Sequence, residues 1–129
     1  MNNDNHLSQN GFLRLWKAFI YSLYGLNTAW RGERAFRLEV ILSILMIPLA
    51  TALSVSIVFK LILIATVLLV LVVELLNSAV EAVVDMVTEE FHPLAKKGKD
   101  MASAAVFVTL VLTSICWLTA IYLTLFPGE

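Results

Sequence analysis

The chain has 129 residues, 60% of them hydrophobic and only 15% charged, with a net charge of −1. An average soluble domain is about 45–50% apolar and about 25% charged, so this composition describes a small integral-membrane protein with room for one domain. The near-neutral balance says nothing about nucleic acid and no basic cluster suggests a nucleic-acid-binding face, while the single cysteine, Cys116 in an apolar run, excludes an internal disulfide.

The first residues, 1–10, are Asn-rich and read as a frayed tail, in which a lone His6 lacks the partner ligands of a metal site. They lack the basic-then-apolar order of a cleaved signal, so the first apolar span is expected to serve as an uncleaved anchor. From Phe12 to Tyr24 the period is helical. Phe12, Leu15, Trp16, Phe19, Ile20 and Leu23 share one face, with Arg14, Lys17 and Tyr21 largely opposite. That pattern predicts an amphipathic helix lying in the membrane interface, over about residues 11–35. Gly25 is expected to interrupt it, with Asn27 or Thr28 capping a second short helix. Trp30 to Glu39 forms a charged collar suited to the headgroup boundary.

Three apolar runs follow. Residues 38–53 are read as a first span, short for a hydrocarbon core of about 30 Å, ending in a tight turn near Ser54–Ser56. Residues 57–87 are read as a second span. Thr88 to Asp100 is the main polar connector, bracketed by Pro93 and Gly98, and about residues 100–126 form a third span. The third opens on Ala102, Ser103, Ala104 and Ala105, small residues that permit close helix approach. Of nine cationic residues only Lys60 falls on the far side of the spans, so the N-terminus is expected to be cytoplasmic and the C-terminus outside.

One stretch does not suit a membrane helix. Within Glu74 to Asp85, the side chains of Glu74, Asn77, Ser78, Glu81 and Asp85 share a stripe about 100° wide, with Leu, Val and Ala elsewhere. A charge in lipid costs about 2.5–3.5 kcal/mol on insertion scales and marks function where it persists. Along the helix Glu74 lies about 21 Å from Lys60 and Asp85 about 37 Å from it. The stripe is thus a ramp from hydrocarbon into water, and its shallow end meets the collar and the polar connector.

Clustered carboxylates at that interface (Glu33, Glu39, Glu74, Glu81, Asp85 and Asp100) are hard ligands suited to Mg²⁺ held together with substrate phosphates. Lys99, read as lying at the start of the third helix, adds a cation where helix N-termini favour anions. Glu74, the deepest acid, is desolvated in the way that suits a general base. The combination suggests phosphoryl transfer to something dissolved in the lipid, although no Walker loop or kinase glycine loop is present. Three spans cannot shield the stripe on all sides, so a homo-oligomer with sites at subunit boundaries is expected. A proton-coupled transporter using Glu39, Glu74 and Glu81 as a relay is the alternative from another class. The third span argues against it, having no ionisable residue in its middle.

The run Glu74-x-x-Asn77-Ser78-Ala79-x-Glu81-Ala82-Val83-Val84-Asp85, followed by His92 and by Lys99-Asp100-Met101-x-Ser103-Ala104-Ala105-Val106, resembles the small bacterial integral-membrane diacylglycerol kinases. The collar Ala29-Trp30-x-x-Glu33-x-Ala35-Phe36-Arg37-x-Glu39 and the opening Gly11-Phe12-x-Arg14 match as well. The resemblance implies an all-α, three-span homotrimer in the bacterial inner membrane, with a surface helix and composite sites, phosphorylating diacylglycerol to phosphatidic acid with ATP and Mg²⁺. It implies Glu74 as catalytic base and Glu33 and Glu81 as metal-holding residues. Asn77, Asp85, His92, Lys99 and Asp100 would line the nucleotide site, with Arg14, Tyr21 and Ser22 near it, and Ser103, Trp30 and Glu39 on the lipid side. Two departures stand out. Ala102 replaces a Gly of the diacylglycerol kinase pattern, and His92-Pro93-Leu94-Ala95-Lys96 is similar to the related undecaprenol kinases. The long N-terminal part and Lys99-Asp100-Met101-x-Ser103 favour diacylglycerol.

Overall fold

Among the described residues the chain forms four α-helices: α1 (Asp4–Gly32), α2 (Arg34–Ala52), α3 (Ile57–Val87) and α4 (Pro93–Leu125). The structure is a computed structural model and describes residues 4–88 and 90–127, with side chains from residue 11 onward, so the His6 side chain lies outside it. Residues up to Glu33 make one compact unit and α2–α4 another.

Two expectations for the N-terminal part are corrected. The helix begins at Asp4 within the expected tail, and it passes through Gly25 without a break. A mid-helix glycine costs only about 1 kcal/mol against alanine, which a long helix carries. The residues expected to cap a second helix bond inside this one instead. Thr28 Oγ1 donates to the Tyr24 carbonyl at 2.9 Å, and Asn27 Oδ1 accepts from Arg31 Nε at 3.2 Å. Trp16 and Phe19 pair on one face, their ring centroids 5.9 Å apart.

In the second unit α3 packs against both α2 and α4. All three helices are long and apolar enough to cross a membrane, and most of their large apolar side chains are exposed. Without a hydrophobic drive between helices in lipid, their association rests on close packing and interhelical hydrogen bonds. The packed centre is Ala50 of α2, Leu63 and Val67 of α3, and Trp117 and Ala120 of α4. Pro48 lies inside α2, which continues through it to Ala52. Thr51 Oγ1 donates to the Pro48 carbonyl at 2.6 Å, and Lys60 Nζ reaches back to the Thr51 carbonyl at 2.7 Å. Lys60 thereby ties the last turn of α2 to the first of α3. Ser56, in the expected turn, caps α3 by accepting from the Phe59 N–H at 3.2 Å.

Hydroxyls inside the bundle are satisfied by their own helices, as hydrocarbon requires. Thr66 donates to the Leu63 carbonyl and Thr109 to those of Ala105 and Val106. Thr113 bonds the Thr109 carbonyl and crosses to the Thr66 carbonyl at 3.4 Å, linking α4 to α3.

The polar connector is shorter than the sequence suggests. His92 caps α4, its Nδ1 accepting from the Leu94 N–H at 3.2 Å, and Pro93 takes the first helical position. Proline suits that position because its missing N–H has no helical partner there and its φ is preset. Lys96 to Asp100, read as loop, are therefore helical. Of the Ala102–Ala105 run, Ala102 is half-buried and Ser103, Ala104 and Ala105 are exposed in the protomer. Gly98 approaches α3, and a methyl added there would stand 3.9 Å from Val84 Cγ2.

Candidate phosphoryl-transfer site

The stripe on α3 descends from water into the bundle. Asp85 is exposed, Glu81, Ser78 and Asn77 are half-buried, and Glu74 is buried at 5% exposure. Asn77 Nδ2 donates to Glu81 Oε1 at 3.4 Å, one turn away. The other end of the same amide, Asn77 Oδ1, is buried with no hydrogen-bond partner. A buried oxygen left without a donor beside a carboxylate is costly unless something arrives to bind it. Hard oxygen donors of this kind fit a Mg²⁺ that brings its own phosphate ligands and waters. Among the described residues no group of three or more acidic, histidine or cysteine side chains gathers to hold a metal alone. Glu81 and Asn77 could therefore supply only part of a coordination sphere.

At the shallow end a cavity of about 400 Å³ opens between the end of α3 and the start of α4. Asp85, His92, Lys99 and Asp100, four of the residues expected at a nucleotide, line it together. Lys99 Nζ donates to Asp85 Oδ1 at 2.5 Å, and Lys96 pairs with Asp100 one turn on. Lys99 sits two turns into α4, because the helix starts at Pro93. The helix-terminus argument therefore does not apply to it, and its effect on an anion is that of its own charge. Thr88 closes the rim as a compact turn, its hydroxyl accepting from the Glu90 N–H at 3.2 Å and donating to the Glu90 carbonyl at 3.0 Å. Sequence reasoning missed the lining residues Thr88 and Phe91. Lys96, one of the cations read on the cytoplasmic side, falls four residues before Asp100 once the helix is started at Pro93.

Glu39 stands on α2, half-buried, within electrostatic reach of Glu74. Its Oε2 is enclosed and has no hydrogen-bond partner. Ser103 is exposed on α4. The remaining expected residues belong to the N-terminal unit: Arg14, Tyr21, Ser22 and Trp30 are exposed on α1, and Glu33, half-buried, follows it with its N–H bonded to the Ala29 carbonyl at 2.8 Å.

In chemical terms the second unit offers a buried carboxylate at the deep end of a helix stripe, unfulfilled oxygen acceptors beside and below it, and a charged, solvent-reaching cavity at the shallow end. The profile of the family described as prokaryotic diacylglycerol kinase matches residues 20–121. A diacylglycerol kinase of Pseudomonas aeruginosa is 50% identical over 111 residues, covering 86% of this chain and 90% of that protein. One from Helicobacter pylori is 48% identical over 116 residues, covering 88% and 91%. Another, from Escherichia coli, is 45% identical over 107 residues, covering 83% and 88%. The chain belongs to the prokaryotic diacylglycerol kinase family.

Proposed function

We propose that the protein is an ATP-dependent lipid kinase of the bacterial inner membrane that converts diacylglycerol to phosphatidic acid. The observation that carries this reading is the buried Glu74 at the deep end of a polar stripe that leads up to the charged cavity of Asp85, Lys99 and Asp100. The relatives, each named a diacylglycerol kinase and alike over most of their length, support the same substrate.

The chemistry follows from the ramp. A lipid hydroxyl remains at the depth of its ester groups, within reach of the deep end of the ramp at Glu74, while a nucleotide arrives from water at the Asp85 end. Glu74 takes the hydroxyl proton as the oxygen attacks the γ-phosphorus, and the bond from that phosphorus to the β–γ bridging oxygen breaks, releasing ADP. General-base catalysis of this kind contributes about 10²–10⁴-fold. Asn77, Asp85, His92, Lys99 and Asp100 orient the nucleotide, with Arg14, Tyr21 and Ser22 contributing from α1. Glu33 and Glu81 would hold Mg²⁺, with the Asn77 oxygen beside Glu81. When bound, the ion neutralises phosphate charge. Trp30, Glu39 and Ser103 face the lipid.

The stripe needs more cover than three helices give, which supports a homo-oligomer with sites at subunit boundaries, and the family resemblance implies that this oligomer is a trimer. The excess of Lys and Arg on one side of the spans supports a cytoplasmic N-terminus and nucleotide cavity and a periplasmic C-terminus. Purified protein, supplied with MgATP and presented with diacylglycerol and undecaprenol in parallel, is expected to phosphorylate diacylglycerol preferentially. Preference for undecaprenol would overturn the substrate assignment, and phosphorylation of neither lipid would overturn the function. Native mass measurement of an active monomer would remove the trimer.

A further inference from the structure

A second, smaller cavity lies in the same unit, and apart from Glu39 none of its lining residues has a part in the chemistry above. It holds about 70 Å³ among α2, α3 and α4, with Glu39 at one end. Its walls are otherwise largely aliphatic: Leu42 and Met46 from α2, Val67 and Val70 from α3, and Leu110 from α4. Ser43 and Thr113 also line it, but their hydroxyls donate to carbonyls of their own helices, Ser43 to Val40 at 2.7 Å and Thr113 to Thr109 at 2.8 Å.

The register gives the cavity a direction. At about 1.5 Å per residue, Met46 lies about 10.5 Å along α2 from Glu39, and Val67 about 10.5 Å along α3 from Glu74. The helices are antiparallel neighbours, so both displacements point the same way, from the two carboxyl groups toward the bundle's packed centre at Ala50 and Leu63. The cavity thus begins beside the deep end of the acidic ramp and continues into hydrocarbon. A water molecule would find few polar partners there, and a buried water needs about two to four. What fits is an amphiphile: a polar group near the unpartnered Glu39 Oε2, and an apolar segment below it.

We propose that this cavity is the subsite for the acyl segment next to the lipid's reacting glycerol, and that Met46 and Val70 determine how much bulk that segment carries. The proposal rests on the lipid-kinase reading and deepens it. The volume admits a short stretch of chain, not a whole acyl tail, so the rest of the tail leaves into the bilayer. Selectivity therefore responds to branching near the ester more than to total chain length.

Two measurements test it. In the first, a diacylglycerol carrying a photoactivatable diazirine early in one acyl chain is cross-linked to the purified protein in lipid, and the labelled peptides are mapped. Labelling is expected within residues 39–46, 67–74 and 110–113. Labelling confined to outward residues such as Leu45, Leu49 or Leu118 would overturn the subsite. In the second, kcat/KM is compared for dioleoylglycerol and for diphytanoylglycerol, whose methyl branches begin close to the ester. One methylene in an apolar pocket is worth about tenfold or more. Met46→Ala is therefore expected to raise the phytanoyl-to-oleoyl ratio about tenfold. Val70→Phe is expected to raise KM for both lipids while leaving KM for ATP unchanged. Unaltered ratios in a folded, active Met46→Ala would also overturn the proposal, and with an active wild type they leave the kinase reading standing. A wild type that cross-links in the cavity but phosphorylates neither lipid supports lipid binding there and overturns the kinase reading.

Discussion

The two ends of the α2–α4 bundle solve the same problem in opposite ways. Both place polar groups inside helices built for lipid. At the Lys60 end polar groups are used by the fold itself: Thr51 and Lys60 bond carbonyls in the last turns of α2, Ser56 caps α3, and Leu63 and Ala50 beside them are fully enclosed. Trp117 Nε1 is the exception there, buried without an acceptor. At the Glu74 end the acceptors are left open. Glu39 Oε2 and Asn77 Oδ1 are enclosed without donors, and the ion pairs of Lys96 and Lys99 line a cavity that water enters. One end is finished by its own atoms and serves stability. The other is finished by whatever binds there, and unsatisfied groups of that kind reduce stability in exchange for function.

Perturbing each end separately tests that division. The largest effect is expected from chelation. EDTA should reduce phosphoryl transfer to background, with full recovery on adding Mg²⁺, and leave the thermal unfolding midpoint in detergent almost unmoved. Transfer that survives chelation would break the account of Glu81 and Asn77. Next is Leu63→Ala at the packed end. Removing a fully enclosed leucine is expected to cost about 2–5 kcal/mol in an unfolding titration, without changing kcat per folded molecule. A fall in kcat at full stability would show that the ends are not separable. Asp85→Asn removes the partner of Lys99. If that cavity takes the nucleotide as proposed, losing a charge-assisted bond there should raise KM for ATP about tenfold, while a half-exposed ion pair contributes under about 1 kcal/mol to the fold. The smallest effect belongs to Lys60→Met. Loss of the Thr51 bond is expected to lower stability by about 1 kcal/mol, with both KM values unchanged.

The parts of this arrangement legible in the sequence were those set by helix periodicity. A rotation of about 100° per residue is enough to put Glu74, Asn77, Glu81 and Asp85 on one side, and Ser54–Ser56 is enough to end α2. The errors came where local signals compete with length. Gly25 carries an unfavourable propensity, but a helix of 29 residues absorbs it. Pro93 reads as a loop residue in a charged stretch, yet after a histidine cap it starts a helix, which moves Lys96 from the connector onto α4 and sets Lys99 and Asp100 about two turns into it. Register between helices was not legible at all. That Thr88 and Phe91 border the same cavity as Lys99, or that Glu39 opens onto Met46 and Val70, depends on how α2, α3 and α4 face one another. No periodicity within one helix contains that information.

The central claim is that Glu74 removes the proton from a lipid hydroxyl. It is tested most directly by following label from γ-labelled ATP into diacylglycerol with wild type and Glu74→Gln, while measuring MgATP binding in the same samples. The account predicts that kcat falls about 10²–10⁴-fold in the variant with nucleotide affinity preserved. Near-normal turnover, or a loss of turnover accompanied by an equal loss of nucleotide binding, would contradict it.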